Sequence, residues 1–183
     1  MPDTPPIASA LRRAGSWSSA ADKVTLDYDA RFLRRKRLVA EGGLTFVVDL
    51  PETTSLEDGD ALALEDGRLV AVAAAPEPLV AVTGENLARL AWHIGNRHTP
   101  CEIGAGRLVI RHDHVLEAML AGLGATLEPF EGPFRPEGGA YGHGRTMGHS
   151  HGPAHGPTHG DTPSQQARAH LSAGDFGGGD GGD

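Results

Sequence analysis

Apolar and polar residues alternate in short runs over the first part of the chain. Lys23-Val24-Thr25-Leu26-Asp27-Tyr28-Asp29 and Leu44-Thr45-Phe46-Val47-Val48-Asp49-Leu50 carry the two-residue period of half-buried strands. Glu41-Gly42-Gly43, Asp58-Gly59-Asp60 and Glu65-Asp66-Gly67 place turn formers at intervals of about one strand and a loop. Residues 1–75 therefore read as a small all-β domain. Its odd feature is the basic cluster Arg31, Arg34, Arg35, Lys36 and Arg37. Charge of this kind is expected to protect a solvated strand edge. Docking of an acidic partner is the alternative.

Pro76-Glu77-Pro78 is expected to break the chain, and the period then changes. Leu79-Val80-Ala81-Val82 is apolar throughout and predicts a buried strand. Gly84 to His98 predicts a helix, with Leu87, Leu90, Ala91 and Ile94 along one face and Thr99-Pro100 ending it. Cys101-Glu102-Ile103 and Arg107-Leu108-Val109-Ile110-Arg111 predict two strands joined across Gly104-Ala105-Gly106. Asp113 is placed to cap a second helix whose apolar positions are Val115, Leu116, Met119, Leu120 and Leu123, and Ala125 to Phe130 predicts a last strand. The order β-α-β-β-α-β over residues 76–136 is the ferredoxin-like arrangement. The fold class is α+β.

Periodicity stops after Pro136. Residues 137–183 hold 14 of the 26 glycines and six of the ten histidines, and offer almost nothing to bury. This stretch is expected to be a disordered tail without a ligand. The net charge is −8, and the tail takes only five of the 24 acids and two of the 16 bases, so neither part is basic. A general nucleic-acid binder is disfavoured. A single cysteine, Cys101, excludes an intrachain disulfide and with it a secreted disulfide scaffold. The longest apolar run, Leu69 to Ala75, falls far short of the ~18 residues that span a bilayer, and the N-terminus lacks the pattern of a signal peptide. The chain is expected to be soluble and cytoplasmic.

The histidines carry the candidate chemistry. None precedes His93, and four lie in the α/β part: His93, His98, His112 and His114. Imidazole suits nickel, copper and zinc, whereas a structural zinc fold would need a cysteine cluster that this chain lacks. In the tail, His143 is followed by His149, His151, His155 and His159, with His170 beyond, and a flexible chain with this spacing wraps several nitrogens around one ion. The bland alternative is a solubilising tail. His93 and His98 are five residues apart, roughly 140° around a helix, so they do not chelate one ion together. His93 falls beside Leu90 and Ile94 and reads as a packed histidine, whereas His98 sits beside Asn96 and Arg97 on a polar turn. One imidazole is a poor site, but a two-fold dimer would present two copies of His98 to one ion. His112-Asp113-His114 has the alternate spacing that puts two imidazoles on one side of an extended chain, or else marks two surface residues at a strand-to-helix junction. Cys101 reads as a small buried side chain.

His93-Ile94-Gly95-Asn96-Arg97-His98-Thr99-Pro100, then Arg111-His112-Asp113-His114-Val115-Leu116, then Pro133-Phe134-Arg135-Pro136-Glu137-Gly138-Gly139-Ala140-Tyr141 before a His-rich tail, resemble the urease accessory nickel metallochaperones (the UreE family). Asp29, Arg31, Arg35, Arg37 and the Asp58-Gly59-Asp60 turn resemble that family's N-terminal part. The resemblance implies a peptide-binding-like β domain, a ferredoxin-like metal-binding domain and homodimerisation through the latter. It implies that His98 binds nickel at the dimer interface, that His112 and His114 form a lateral site, and that the tail raises capacity. A thiolate of Cys101 near the interface is a further expectation. The implied cargo is Ni2+, with Zn2+ or Cu2+ as competitors, and the implied partners are the urease GTPase accessory protein and apo-urease. The Gly- and Asp-rich end from Gly174 to Asp183 has no counterpart in the resemblance.

Two other functions compete with this reading. A metal store without delivery would use the same histidines. A metal hydrolase would need a paired carboxylate or an activated nucleophile, and Asp113 is already committed to a helix cap.

Overall fold

The computed structural model describes residues 4–138. Its first half is a six-stranded sheet built from β1 (Ile7–Arg12), β2 (Asp22–Leu26), β3 (Phe32–Val39), β4 (Thr45–Ser55), β5 (Ala61–Leu64) and β6 (Leu69–Ala74), in the order β2-β6-β5-β1-β4-β3. The alternation in β2 and β4 buries Val24, Leu26, Phe46, Val48 and Leu50 with Leu62, Leu64, Val70 and Val72 in one apolar core. The turns at Gly43 and Gly67 take φ of 91° and 86°, which a side chain would oppose. The first strand was not legible in the sequence. β1 runs Ile-Ala-Ser-Ala-Leu-Arg with Ala8 as its only buried position, and its pairing with β4 is parallel and therefore distant in the chain.

The basic cluster divides. β3 is an edge strand, and Arg34, Arg35, Lys36 and Arg37 are exposed along it, as edge protection requires. Arg35 forks onto the Asp49 carboxylate at 2.9 and 2.8 Å. Arg31 does not belong with them. It is 1% exposed, and its guanidinium donates to the carbonyls of Leu56 and Phe134.

The second half is a four-stranded sheet of β7 (Pro76–Thr83), β8 (Glu102–Gly104), β9 (Arg107–Arg111) and β10 (Thr126–Pro133), with helices α1 (Leu87–Gly95) and α2 (His114–Gly122). The strand order is β10-β7-β9-β8 and every pairing is antiparallel, which is the ferredoxin-like topology. Pro76-Glu77-Pro78 does not break the chain; it opens β7 and pairs with Glu131–Pro133 of β10. Proline is tolerated there because β9 pairs with β7 only from Leu79 onward. β7 is apolar throughout because both faces are covered. Val80 and Val82 meet Leu90 and Ile94 of α1 and Leu116 and Leu120 of α2, while Leu79 meets Tyr28 and Phe134 on the opposite face.

Helix α1 is shorter than the span from Gly84 to His98. The Asn86 side chain accepts from the Arg89 N–H at its start, and the helix proper ends at Gly95. No helix among the described residues is long and apolar enough to cross a membrane. The expected tail from residue 137 lies, except for Glu137 and Gly138, outside the described residues.

Candidate metal site

Closure of α1 sets the position of His98. The His98 N–H donates to the Gly95 carbonyl at 2.9 Å and the Thr99 N–H to the Ile94 carbonyl at 3.4 Å. These are the two bonds of a Schellman turn, whose left-handed residue is usually glycine. Here that residue is His98, with φ of 56°, the only non-glycine residue with positive φ among those described. A Cβ at a left-handed position costs roughly 1–2 kcal/mol. The turn leaves His98 exposed, so the backbone strain presents the imidazole to solvent rather than packing it. His93, one turn earlier, is half-buried and meets the exposed Trp92 ring edge-on at 4.9 Å.

Cys101 follows at the end of this loop, partly buried against the core of α1 and α2. Burial pushes its thiol up to about 11, so it carries no thiolate at neutral pH. A thiol raised this far does not favour the thiolate expected near the interface. Its backbone carbonyl has another use, since it accepts from the Glu137 N–H at 2.9 Å. The Arg135 N–H likewise donates to the Glu102 carboxylate at 3.1 Å. The segment leading into the tail is thus held beside the loop that carries His98.

His112 and His114 flank the start of α2. His112 follows β9, and His114 is the first residue of the helix; both are exposed. Asp113 Oδ1 accepts from the N–H groups of Val115 and Leu116, so this carboxylate is the helix cap that the sequence predicts. Glu117 completes the corner. Its Oε1 accepts from the Asp113 N–H at 2.9 Å and lies 2.7 Å from His112 Nδ1. With Nδ1–H donating to Glu117, the lone pair of His112 falls on Nε2, the arrangement that carboxylate-oriented metal ligands use. Sequence reading missed Glu117, which stands four residues after Asp113 and so falls one beyond the spacing of a capping box.

An open groove of about 480 Å³ runs between Thr99-Pro100, next to His98, and His112-Asp113, with Glu77, Pro78 and Arg111 on its other walls. Of the candidate histidines, His112 lines this groove and His98 stands one residue beyond its wall, and no three His, Cys, Asp or Glu side chains converge on a metal-sized point among the described residues. His143, His149, His151, His155 and His159 lie outside the described residues.

Residues 6–75 match the family model described as the UreE urease accessory protein N-terminal domain, and residues 77–161 match the corresponding C-terminal domain. The chain belongs to the UreE family. Among its relatives is a urease accessory protein UreE of Rhodobacter capsulatus, 65% identical over 142 residues that cover 78% of this chain and 90% of the relative. A UreE of Ruegeria pomeroyi is 61% identical over 79% of this chain and 97% of its own length. A third, from Paracoccus denitrificans, is 68% identical over 68% of this chain and 79% of the relative. As a UreE family member the chain is an accessory protein of urease maturation and not the urease enzyme, and the family implies the handling of a metal. The C-terminal match ends at residue 161, short of the Gly- and Asp-rich end.

Proposed function

We propose that this UreE family member is a cytoplasmic nickel carrier, which binds Ni2+ through histidines and passes it to the urease GTPase accessory protein and apo-urease. In this reading residues 1–75 form a peptide-binding-like domain, residues 76–136 the metal-binding domain and residues 137–183 a histidine-rich extension. Two copies of His98 meet across a homodimer formed by the second domain. His112 and His114 supply a lateral site, and His143, His149, His151, His155 and His159 raise capacity. Zn2+ and Cu2+ compete for the same nitrogens, and copper has the higher intrinsic affinity, so partner recognition selects the cargo.

The observation that carries the reading is His98 itself. A β-carbon residue occupies a glycine position, exposed and strained, on the loop to which the root of the tail is fastened. Strained backbone at an exposed polar residue points to function rather than to packing. An exposed site of few ligands also suits an ion that must be released, whereas a closed four-ligand site retains it.

Nickel titration of the full chain beside His98→Gly tests this. Glycine removes the imidazole and fits the turn, so loss of binding cannot be assigned to misfolding. The tightest nickel event should disappear from the variant, and with it urease activation in a reconstituted assembly. Retention of that event would overturn the assignment. Unchanged binding with no activation by the parent protein would favour a nickel store.

A further inference from the structure

We propose that the outer face of the six-stranded sheet is a docking surface for an acidic, extended segment of a partner protein, held by Arg37, Arg68 and Arg12. The proposal rests on the peptide-binding reading of residues 1–75, gives that reading a ligand chemistry, and requires no metal.

The register of the strands puts these arginines on one face. Phe46, Val48 and Leu50 of β4 point into the core, so Val47 between them points outward. Val47 is paired with Arg37 on β3 and with Ile7 on β1, which places all three in one outward row. Arg35 faces the same way two residues earlier, but its charge is taken by Asp49. On β1, Leu11 packs against the core, so Arg12 beside it points outward; on β6, Val70 is in the core and Leu69 points outward.

Two open grooves lie on this face. One, of about 500 Å³, is bounded by Arg37, Thr45, Pro5, Pro6 and Arg68. The other, of about 590 Å³, is bounded by Arg68, Leu69, Arg12, Trp17 and Ser18. Arg68 lines both, so the three arginines mark a single track. No Asp or Glu lines either groove, although the chain has 24 acids against 16 bases and a net charge of −8. The groove beside His112, by contrast, is lined by Glu77 and Asp113.

The charge of the track is available to a ligand. Arg12 and Arg37 are exposed, and their side chains have no hydrogen bond or ion pair among the described residues. Arg68 commits Nε and Nη2 to the single Asp66 Oδ2, at 2.9 and 2.6 Å, which leaves Nη1 without a partner among the described residues. Complementarity of this kind selects an anionic partner.

Shape narrows the choice. Arg37 and Arg12 line different grooves, so a chain can meet both where a small anion cannot. In an extended peptide alternate side chains share one side, at a repeat of roughly 7 Å, so one segment offers successive carboxylates to successive guanidinium forks. Trp17 gives the track an amphipathic wall. Its Nε1 donates to the Gly59 carbonyl at 3.0 Å, and the side chain stays half-buried at the groove. A nucleic acid is the poorer occupant, because a chain of net charge −8 repels a long array of phosphates. Docking therefore falls on the face of the sheet, and the basic edge of β3 keeps its protective role.

Fluorescence anisotropy on the full chain tests this. The probes are a labelled peptide of alternating Glu and Thr, a neutral one of alternating Ser and Thr, and a single-stranded oligonucleotide. The acidic peptide should bind at least about tenfold more tightly than the neutral one, the order of one charge-assisted hydrogen bond, and should weaken as salt is raised. Arg37→Glu and Arg12→Glu should each weaken it by at least about tenfold. Lys36→Glu makes the same charge change on the other side of β3, where Lys36 pairs with the core residue Val48 and lines neither groove; it should leave binding within about twofold. Arg37→Gln and Arg12→Gln carry the test should a reversed charge disturb its strand. Equal binding of acidic and neutral peptides, equal loss in Lys36→Glu, or no loss in the arginine variants would overturn the acidic site while leaving a peptide-binding domain in place. Tighter binding of the oligonucleotide, lost in the same variants, would make the track a nucleic-acid surface and overturn the proposal. Binding of neither peptide would overturn the peptide-binding reading, and the proposal with it.

Discussion

At the scale of single residues, conformation and chemistry separate at His98. The left-handed turn prefers glycine and the proposed ligand needs an imidazole, so stability and binding should move in opposite directions. His98→Gly should be about 1 kcal/mol more stable than His98→Ala in urea unfolding, because only alanine keeps a Cβ at positive φ, while both lose the tight nickel event. Equal stability of the two would mean the turn carries no strain. A second residue-scale prediction concerns Cys101. Its thiol is pushed up to about 11, so alkylation should be slow at pH 7.5 and accelerate until the pH passes about 11. Rapid labelling at neutral pH would show a thiol more open than its packing implies. The sequence made His98 legible as a candidate because polar neighbours surround it. It could not disclose the strain, since φ depends on two hydrogen bonds back into α1. Nor could it disclose the burial of Arg31, whose acceptor Phe134 lies in the other half of the chain.

At the scale of elements, the second half was the more legible because its periods are local. Apolar runs predicted β7 and β9, and a helical stripe with a capping aspartate predicted α2. β1 was missed because its neutral, small-residue pattern gives no period, and its ladders to β4 and β5 are made far along the chain. The caps give the sharpest test at this scale. Asp113 satisfies two N–H groups at the start of α2, so Asp113→Ala should cost about 1 kcal/mol. Asp113→Asn, which keeps the accepting oxygen, should cost a few tenths at most. Glu117→Gln should fold normally yet alter His112, because the amide no longer offers a carboxylate to Nδ1–H. The lateral nickel event, and not the His98 event, should then weaken in a two-site titration. Loss of both events together would show that α2 as a whole had been disturbed.

At the scale of the molecule, the two sheets have separate cores, joined by Tyr28, Phe134 and the ion pairs of Arg111 with Asp29 and Arg135 with Asp58. Asp58 makes this junction sensitive to acid. Burial pushes its carboxyl up, but the Ala74 N–H and the guanidiniums of Arg135 and Arg31 outweigh that, and the pKa settles below the ordinary 3.8. A carboxyl with a depressed folded-state pKa stabilises fully above its unfolded value and loses that contribution as pH falls through the folded one. The stability lost in Asp58→Asn should therefore be constant from pH 7 down to about 4, and the two proteins should converge below 3.8. A difference that persisted unchanged below that pH would point to lost packing or to the Ala74 hydrogen bond instead of charge. Among the described residues the buried apolar positions run from Ala8 to Phe134. Cutting the chain after Gly138 leaves the Arg31, Arg135 and Glu137 contacts in place and removes His143, His149, His151, His155, His159 and His170. The truncated protein should keep the cooperative thermal transition of the full chain, within about 0.5 kcal/mol, and bind fewer nickel ions per chain. If it bound as many, the extension would hold no nickel, and if its transition broadened or vanished, the two cores would not be self-sufficient.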